Sequence, residues 1–279
     1  MRSKLILIEG LPGFGKSTTA QIVNQLLAEH KVDTRLFLEG DLQHPADYDG
    51  VACLTKEQFE AAFSDSSFYQ LFLEYSIQKG DELLVPYRKI CDEHQIDLSD
   101  EVFQTIFQQD IYELPLQKNI ELITDRWSQF GKTAAEESTT YVFECCFIQN
   151  PVTVSMVKYN APEEIVSDYV LKLEQAIRHL DPLLIYIEQD HLETVFHKAS
   201  KERESSWLNG FVDYYTGQGF GLENGFQGIE GTIQVLKHRQ QLEQEIVNKL
   251  HIETIVLNNS QFDQAAWRQK LRDILNPFL

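Results

Sequence analysis

The stretch that most limits what this chain can become is LILIEGLPGFGKSTTAQIVNQLL, residues 5–27. An aliphatic run ends in a glycine-rich turn, and the turn opens into a lysine, three hydroxyl residues and an apolar pattern with helical spacing. Gly10 to Ser17 satisfy the pattern G-x-x-x-x-G-K-[ST]. Glycines let backbone N–H groups curl around an anion with no Cβ in the way, and a helix starting near Lys16 adds the positive end of its dipole. The expected contacts to a nucleoside triphosphate are Gly10, Gly13, Phe14, Gly15, Lys16, Ser17 and Thr18. Lys16 would reach the outer phosphates, and the Ser17 hydroxyl would ligate Mg²⁺. ATP and Mg²⁺ are therefore the expected cofactors.

The rest of the chain reads as strands alternating with helices. Apolar strands are expected at 4–9, 33–40, 139–148, 182–189 and 251–260, with helices over 16–30, from Pro162 to about 180, from about 232 to 250 and over 261–275. Strands that are apolar throughout belong to a parallel sheet covered on both faces, so the expected class is α/β. From 55 to 130 the pattern predicts a helical insert. It begins with a capping box at Thr55–Gln58, continues with Phe68, Phe72 and Tyr75, and ends in the stripe Ile120, Ile123, Trp127 and Phe130. Residues of about 190–231 form a polar, basic-dotted segment followed by a glycine-rich turn. Its GQGFG, 217–221, is read as a flexible turn, since no strand precedes it and no acidic partner follows. One domain of residues 1–279, carrying the insert, is the expected organisation.

Net charge is −19 and the sequence pI is about 4.8, which argues against nucleic acid or an anionic membrane as the partner. A small-molecule acceptor is expected instead. No apolar stretch approaches the ~18 residues a membrane helix needs, and the run after Lys4 is too short for a leader. Cys53, Cys91, Cys145 and Cys146 lack metal-ligand spacing and are expected as reduced, buried thiols of a cytoplasmic protein.

With GLPGFGKST, acidic residues closing the second and third strands, and a basic segment after the fourth, the chain resembles the P-loop kinases of the nucleoside/nucleotide kinase type, thymidylate kinase-like. The resemblance implies a P-loop NTPase three-layer sandwich with a parallel five-stranded sheet of order 2-3-1-4-5. It also implies ATP- and Mg²⁺-dependent phosphoryl transfer to a nucleoside, nucleotide or other hydroxyl compound. Glu144 would hold Mg²⁺ beside Ser17, and Glu39 or Asp41 would take the proton of the attacking hydroxyl. Arg203 would neutralise the moving phosphate, with Lys198 and Lys201 on a lid. His44, Arg88 and Arg126 would line the acceptor side, and Asn258, Asn259 and Ser260 would meet adenine. The alternative reading is an ATP-binding regulatory or interaction protein with slow hydrolysis or a macromolecular acceptor. A GTPase switch fits less well, because NKxD is missing and Asp47-Tyr-Asp-Gly50 has no strand before it.

Overall fold

A computed structural model describes residues 3–64, 66–261 and 263–279. Along the chain, β1 (Leu5–Gly10) leads into α1 (Lys16–Glu29) and β2 (Thr34–Phe37). Next come β3 (Ala52–Thr55), α2 (Lys56–Phe63), α3 (Tyr69–Tyr75), β4 (Ile77–Lys79), β5 (Glu82–Val85), α4 (Tyr87–His94) and α5 (Asp100–Phe107). After α6 (Leu116–Glu136) follow β6 (Thr140–Glu144), α7 (Gln149–Val152) with a π-helical continuation Thr153–Lys158, and α8 (Glu163–Ile177). The chain closes with β7 (Leu183–Glu188), α9 (Leu192–Glu202), α10 (Ser205–Thr216), α11 (Gly219–Glu223), α12 (Gly228–Lys249), β8 (Glu253–Asn258) and α13 (Gln264–Leu275). Two compact units result, Met1–Glu39 with Trp127–Leu279, and the insert Gly40–Arg126.

The first unit is built on a five-stranded parallel sheet of order β2-β6-β1-β7-β8. Counted within this sheet alone its strands run second, third, first, fourth, fifth; three strands of the insert intervene in the whole-chain numbering. The arrangement is α/β and consistent with the P-loop NTPase class. β1 and β6 are buried along their whole length, as their apolar sequences require, whereas edge strands β2 and β8 are partly exposed. Because β1 and β6 are neighbours in register, Ile8 opposite Glu144, the end of β6 comes up beside the glycine turn. That is where ligands of open parallel sheets bind.

The insert departs from the all-helical expectation. It holds a three-stranded antiparallel sheet of order β3-β5-β4, with Ala52 opposite Val85 and Ile77 opposite Leu84. The apolar runs at 52–54 and 83–85 are too short to show a period, and Gly80 at φ 61° turns the chain between β4 and β5, so pairing decides them. The capping box at Thr55 and Gln58 does start a helix, and the stripe over 117–130 lies on α6. A separate core of Phe59, Phe63, Phe72, Leu54 and Ile90 fills the insert.

A second correction concerns GQGFG. Residues 219–223 are helical, and a Cβ on Gly221 would lie 2.0 Å from the Tyr215 carbonyl oxygen. Gly221 permits close approach of α11 to α10 and Gly219 to the π-helical segment, so the second half of GQGFG is helix and not turn. Among the described residues all four cysteines are free thiols, Cys91 half-buried and the others buried.

Candidate active site

The glycine turn is shaped by the strand beside it. Gly10 sits at φ 142°, and a Cβ there would fall 2.5 Å from the Ile187 carbonyl oxygen of β7, so β1 can end against its neighbour only with glycine. Gly13 and Gly15 also take positive φ. Gly15 caps α1, with no side chain bonded to the helix start and no acidic residue in its first turn. The first-turn N–H groups are thus left for an anionic ligand. Lys16 is buried and folds back across the loop, donating to the Leu11 carbonyl at 3.2 Å. Phe14 turns its ring into the core, 2% exposed. Its carbonyl accepts from the Asn259 amide at 3.2 Å, and only its backbone belongs to the loop.

Beyond this loop lies a cavity of about 480 Å³, lined by Gly13, Gly15, Lys16, Ser17 and Thr18, by Glu39, Glu144 and Gln149, and by Arg203 with Trp207, Phe211 and Tyr215 of α10. Four of its polar residues are chained together by three hydrogen bonds. Ser17 Oγ donates to Glu144 Oε1 at 2.6 Å, the Glu39 N–H donates to Glu144 Oε2 at 3.3 Å, and Gln149 Nε2 donates to Glu39 Oε1 at 3.0 Å. A hydroxyl and a carboxylate oxygen are the hard ligands Mg²⁺ takes, so Ser17 and Glu144 fit the metal expected there. Right after Glu144, Cys145 turns at φ 58°, which ends the strand and brings Gln149 back to the cavity.

Of the three acids that sequence reasoning grouped, Glu39 and Glu144 line the cavity and Asp41 belongs to the insert. Glu39 closes the first unit and lines the cavity. Asp41 begins the insert, where its carboxylate accepts the Gln43 N–H at 2.9 Å, a turn-capping role. The lid cations also separate. Lys198 lies in α9 and lines a second cavity of about 370 Å³ with Gly15, Thr18, Asn259 and Trp267. Lys201, in the last turn of α9, lines neither cavity. Arg203 leaves the helix in extended conformation and lays its guanidinium over Trp207, 4.2 Å from the ring centroid. Asn258, Asn259 and Ser260 border a third cavity, of about 420 Å³, with Asp190 and Trp267.

The acceptor-side candidates belong to the insert. Arg88 pairs with Asp49 at 3.1 Å. Arg126 lies over the Tyr48 ring and donates to the His44 carbonyl at 3.3 Å. His44 is buried. Burial, aided by the Arg126 charge, pushes its imidazole down to about 3, so it stays neutral, and Nδ1 accepts the Ala46 N–H.

Sequence reasoning missed a layer of buried polar groups under the cavity. Glu9 accepts the N–H groups of Phe147 and Gln149 at 2.7 and 2.9 Å, anchoring the start of α7. Burial outweighs those bonds and raises its carboxyl to about 7. Arg239 of α12, fully buried, pairs with Glu243 at 2.6 Å and donates to Tyr215 OH at 2.6 Å, to Thr153 Oγ1 at 2.8 Å and to the Gln149 carbonyl at 3.2 Å. A charge inside the aliphatic run of β1 was a readable signal for Glu9. Nothing in the local sequence marks Arg239 or Gln149.

No family model and no curated protein matches the chain. Among solved structures, it is similar to a thymidylate kinase from Candida albicans at 14% identity and a TM-score of 0.44, over 99% of this chain and 92% of that one. A likeness of that depth says nothing of activity or substrate. No helix among the described residues is long and apolar enough to cross a membrane.

Proposed function

We propose that this protein transfers the γ-phosphoryl group of ATP to a hydroxyl of a small molecule. One observation carries the reading: an uncapped glycine loop with Lys16 folded across it shares a cavity with the chain Ser17–Glu144–Glu39–Gln149. Phosphoryl transfer demands positioning and charge neutralisation more than covalent chemistry. The loop N–H groups and Lys16 bind and orient the triphosphate, and Arg203 swings from Trp207 to the moving phosphate. Glu39, steadied by Gln149, takes the proton as the acceptor oxygen bonds to phosphorus. The bond from phosphorus to the β–γ bridging oxygen breaks, and ADP leaves with its electron pair. Mg²⁺, held by Ser17 and Glu144, supplies charge neutralisation at the phosphates when bound.

The test is ADP release with Mg·ATP across pooled nucleosides, nucleotides, sugars, vitamins and aminoglycosides, with Lys16→Ala as control. One pool that raises the rate tens-fold supports the reading. A flat panel with ATP still bound favours the alternative, an ATP-binding regulator. Exposed apolar side chains of the insert, Phe68, Ile77, Phe103 and Phe107, speak for that second reading.

A further inference from the structure

We propose that Gln149 is a specificity residue: its side-chain carbonyl receives a second hydrogen-bond donor of the acceptor molecule. The acceptor is then a neutral or cationic compound whose reacting hydroxyl is flanked by another hydroxyl or an amino group, and not a phosphate ester. The inference rests on the phosphotransfer reading above and adds the acceptor's class.

Gln149 is 6% exposed, yet its Oε1 has no hydrogen-bond partner among the described residues. The orientation of the carboxamide is dictated by Glu39. Only the NH₂ side can face a carboxylate oxygen at 3.0 Å, so the group left over is an acceptor. A buried acceptor without a donor is costly and in a native structure implies a missing partner. The residue cannot easily swing away to find one. Its backbone N–H is held by buried Glu9, and its carbonyl by buried Arg239 and by Thr153 Oγ1 at 2.6 Å. Gln149 lines the cavity, and its buried Oε1 is the side-chain acceptor there left without a donor among the described residues.

The chemistry of that partner follows from the neighbours. Beside the orphaned carbonyl stands the Glu39 carboxylate, which also only accepts. A molecule satisfying both must bring two donors on adjacent atoms: the hydroxyl that gives its proton to Glu39, and a neighbouring hydroxyl or ammonium for Gln149. A phosphate ester reverses this, because its oxygens accept and its charge opposes Glu39 and Glu144. The cations lining the cavity, Lys16 and Arg203, stand on the glycine loop and over Trp207.

Two measurements test the proposal, both as kcat/KM for ADP release with Mg·ATP. In the wild-type chain, polyols, aminocyclitols and ribonucleosides are compared with their own monophosphates. The unphosphorylated members are expected to be better by about tenfold or more, the effect of one good polar contact. Then each productive acceptor is paired with its analogue lacking the neighbouring donor, in wild type and in Gln149→Met. The wild-type preference of about tenfold should collapse to within about twofold in the variant, on top of the common loss both acceptors suffer when Glu39 gives up the Gln149 amide, since a double cycle reads the ratio and not the absolute rate. A fall of both acceptors that leaves the wild-type preference intact would mean that Gln149 is merely structural and overturns the inference. Monophosphates as the best acceptors overturn it too, while leaving phosphoryl transfer standing; that arm uses the wild-type chain and survives a misfolded variant. ADP release indifferent to every acceptor would remove the phosphotransfer reading itself.

Discussion

The unit that carries the glycine loop buries an ion pair, whereas three ion pairs of the insert lie at its surface. In the unit that carries the glycine loop, Arg239 and Glu243 are both fully buried and bonded to Tyr215, Thr153, Tyr186 and the backbone of Gln149. In the insert, the pairs Lys79–Asp125 at 2.7 Å, Lys118–Glu82 at 2.6 Å and Arg88–Asp49 at 3.1 Å lie at the surface, with side chains 29–54% exposed. Water can replace a partner in a surface pair, so such pairs contribute little and hold nothing still. It cannot do so beneath the cavity, where loss of one partner strands a charge. The groups that would do chemistry hang from the part of the molecule whose polar contacts cannot relax. Among the described residues the insert also buries His44 and Asp110, the latter raised to about 6 mainly by burial and bonded to Tyr87 OH at 3.0 Å.

The comparison breaks most plainly at the glycine loop. Lys16→Ala should lower turnover on the order of 10³-fold while the melting temperature stays put; a folded variant with undiminished turnover would remove the loop from the mechanism. Arg239→Met should cost about 3–5 kcal/mol, because Glu243 is left buried and unpaired. Urea unfolding measures this, and a midpoint equal to wild type would show that the buried network is dispensable. Glu39→Gln should reduce kcat by roughly 10²-fold with ATP affinity nearly unchanged, whereas Asp41→Asn, a turn cap in the insert, should stay within about twofold. The opposite ranking would transfer the base to Asp41.

A pH series probes the buried layer by itself. With its carboxyl pushed up to about 7, Glu9 keeps its proton in the folded state where the unfolded chain, near 4.5, has released it. The stability this confers is complete below about pH 4.5 and drains away as pH rises to 7, by about 3 kcal/mol in all. Glu9→Gln should flatten that slope in denaturant midpoints taken from pH 4.5 to 8, and an unchanged slope would assign it to other groups. The smallest effect belongs to the insert surface. Arg88→Ala should change stability by no more than about 1 kcal/mol, and a larger loss would mean that its pair with Asp49 is not the relaxed contact its exposure implies.

The glycine loop, the helix after it, the five strands of the parallel sheet and the helix over 117–130 were legible from residues alone, because each rests on a local rule. Turn chemistry, capping and hydrophobic period act within a few residues and need no knowledge of the rest of the chain. Even Glu39 and Glu144 could be placed, since a parallel sheet collects its strand ends on one side. Tertiary structure alone decided the rest. The runs at 52–54 and 83–85 became strands only by pairing with each other. His44 was buried by packing, and Arg203 parted from Lys198 when a ring at position 207 offered its face. Gln149 acquired an unanswered carbonyl because Glu39, 110 positions earlier, claimed its amide nitrogen. Burial and the choice of hydrogen-bond partner are properties of the packed chain, set by residues distant in sequence, and no local pattern encodes them.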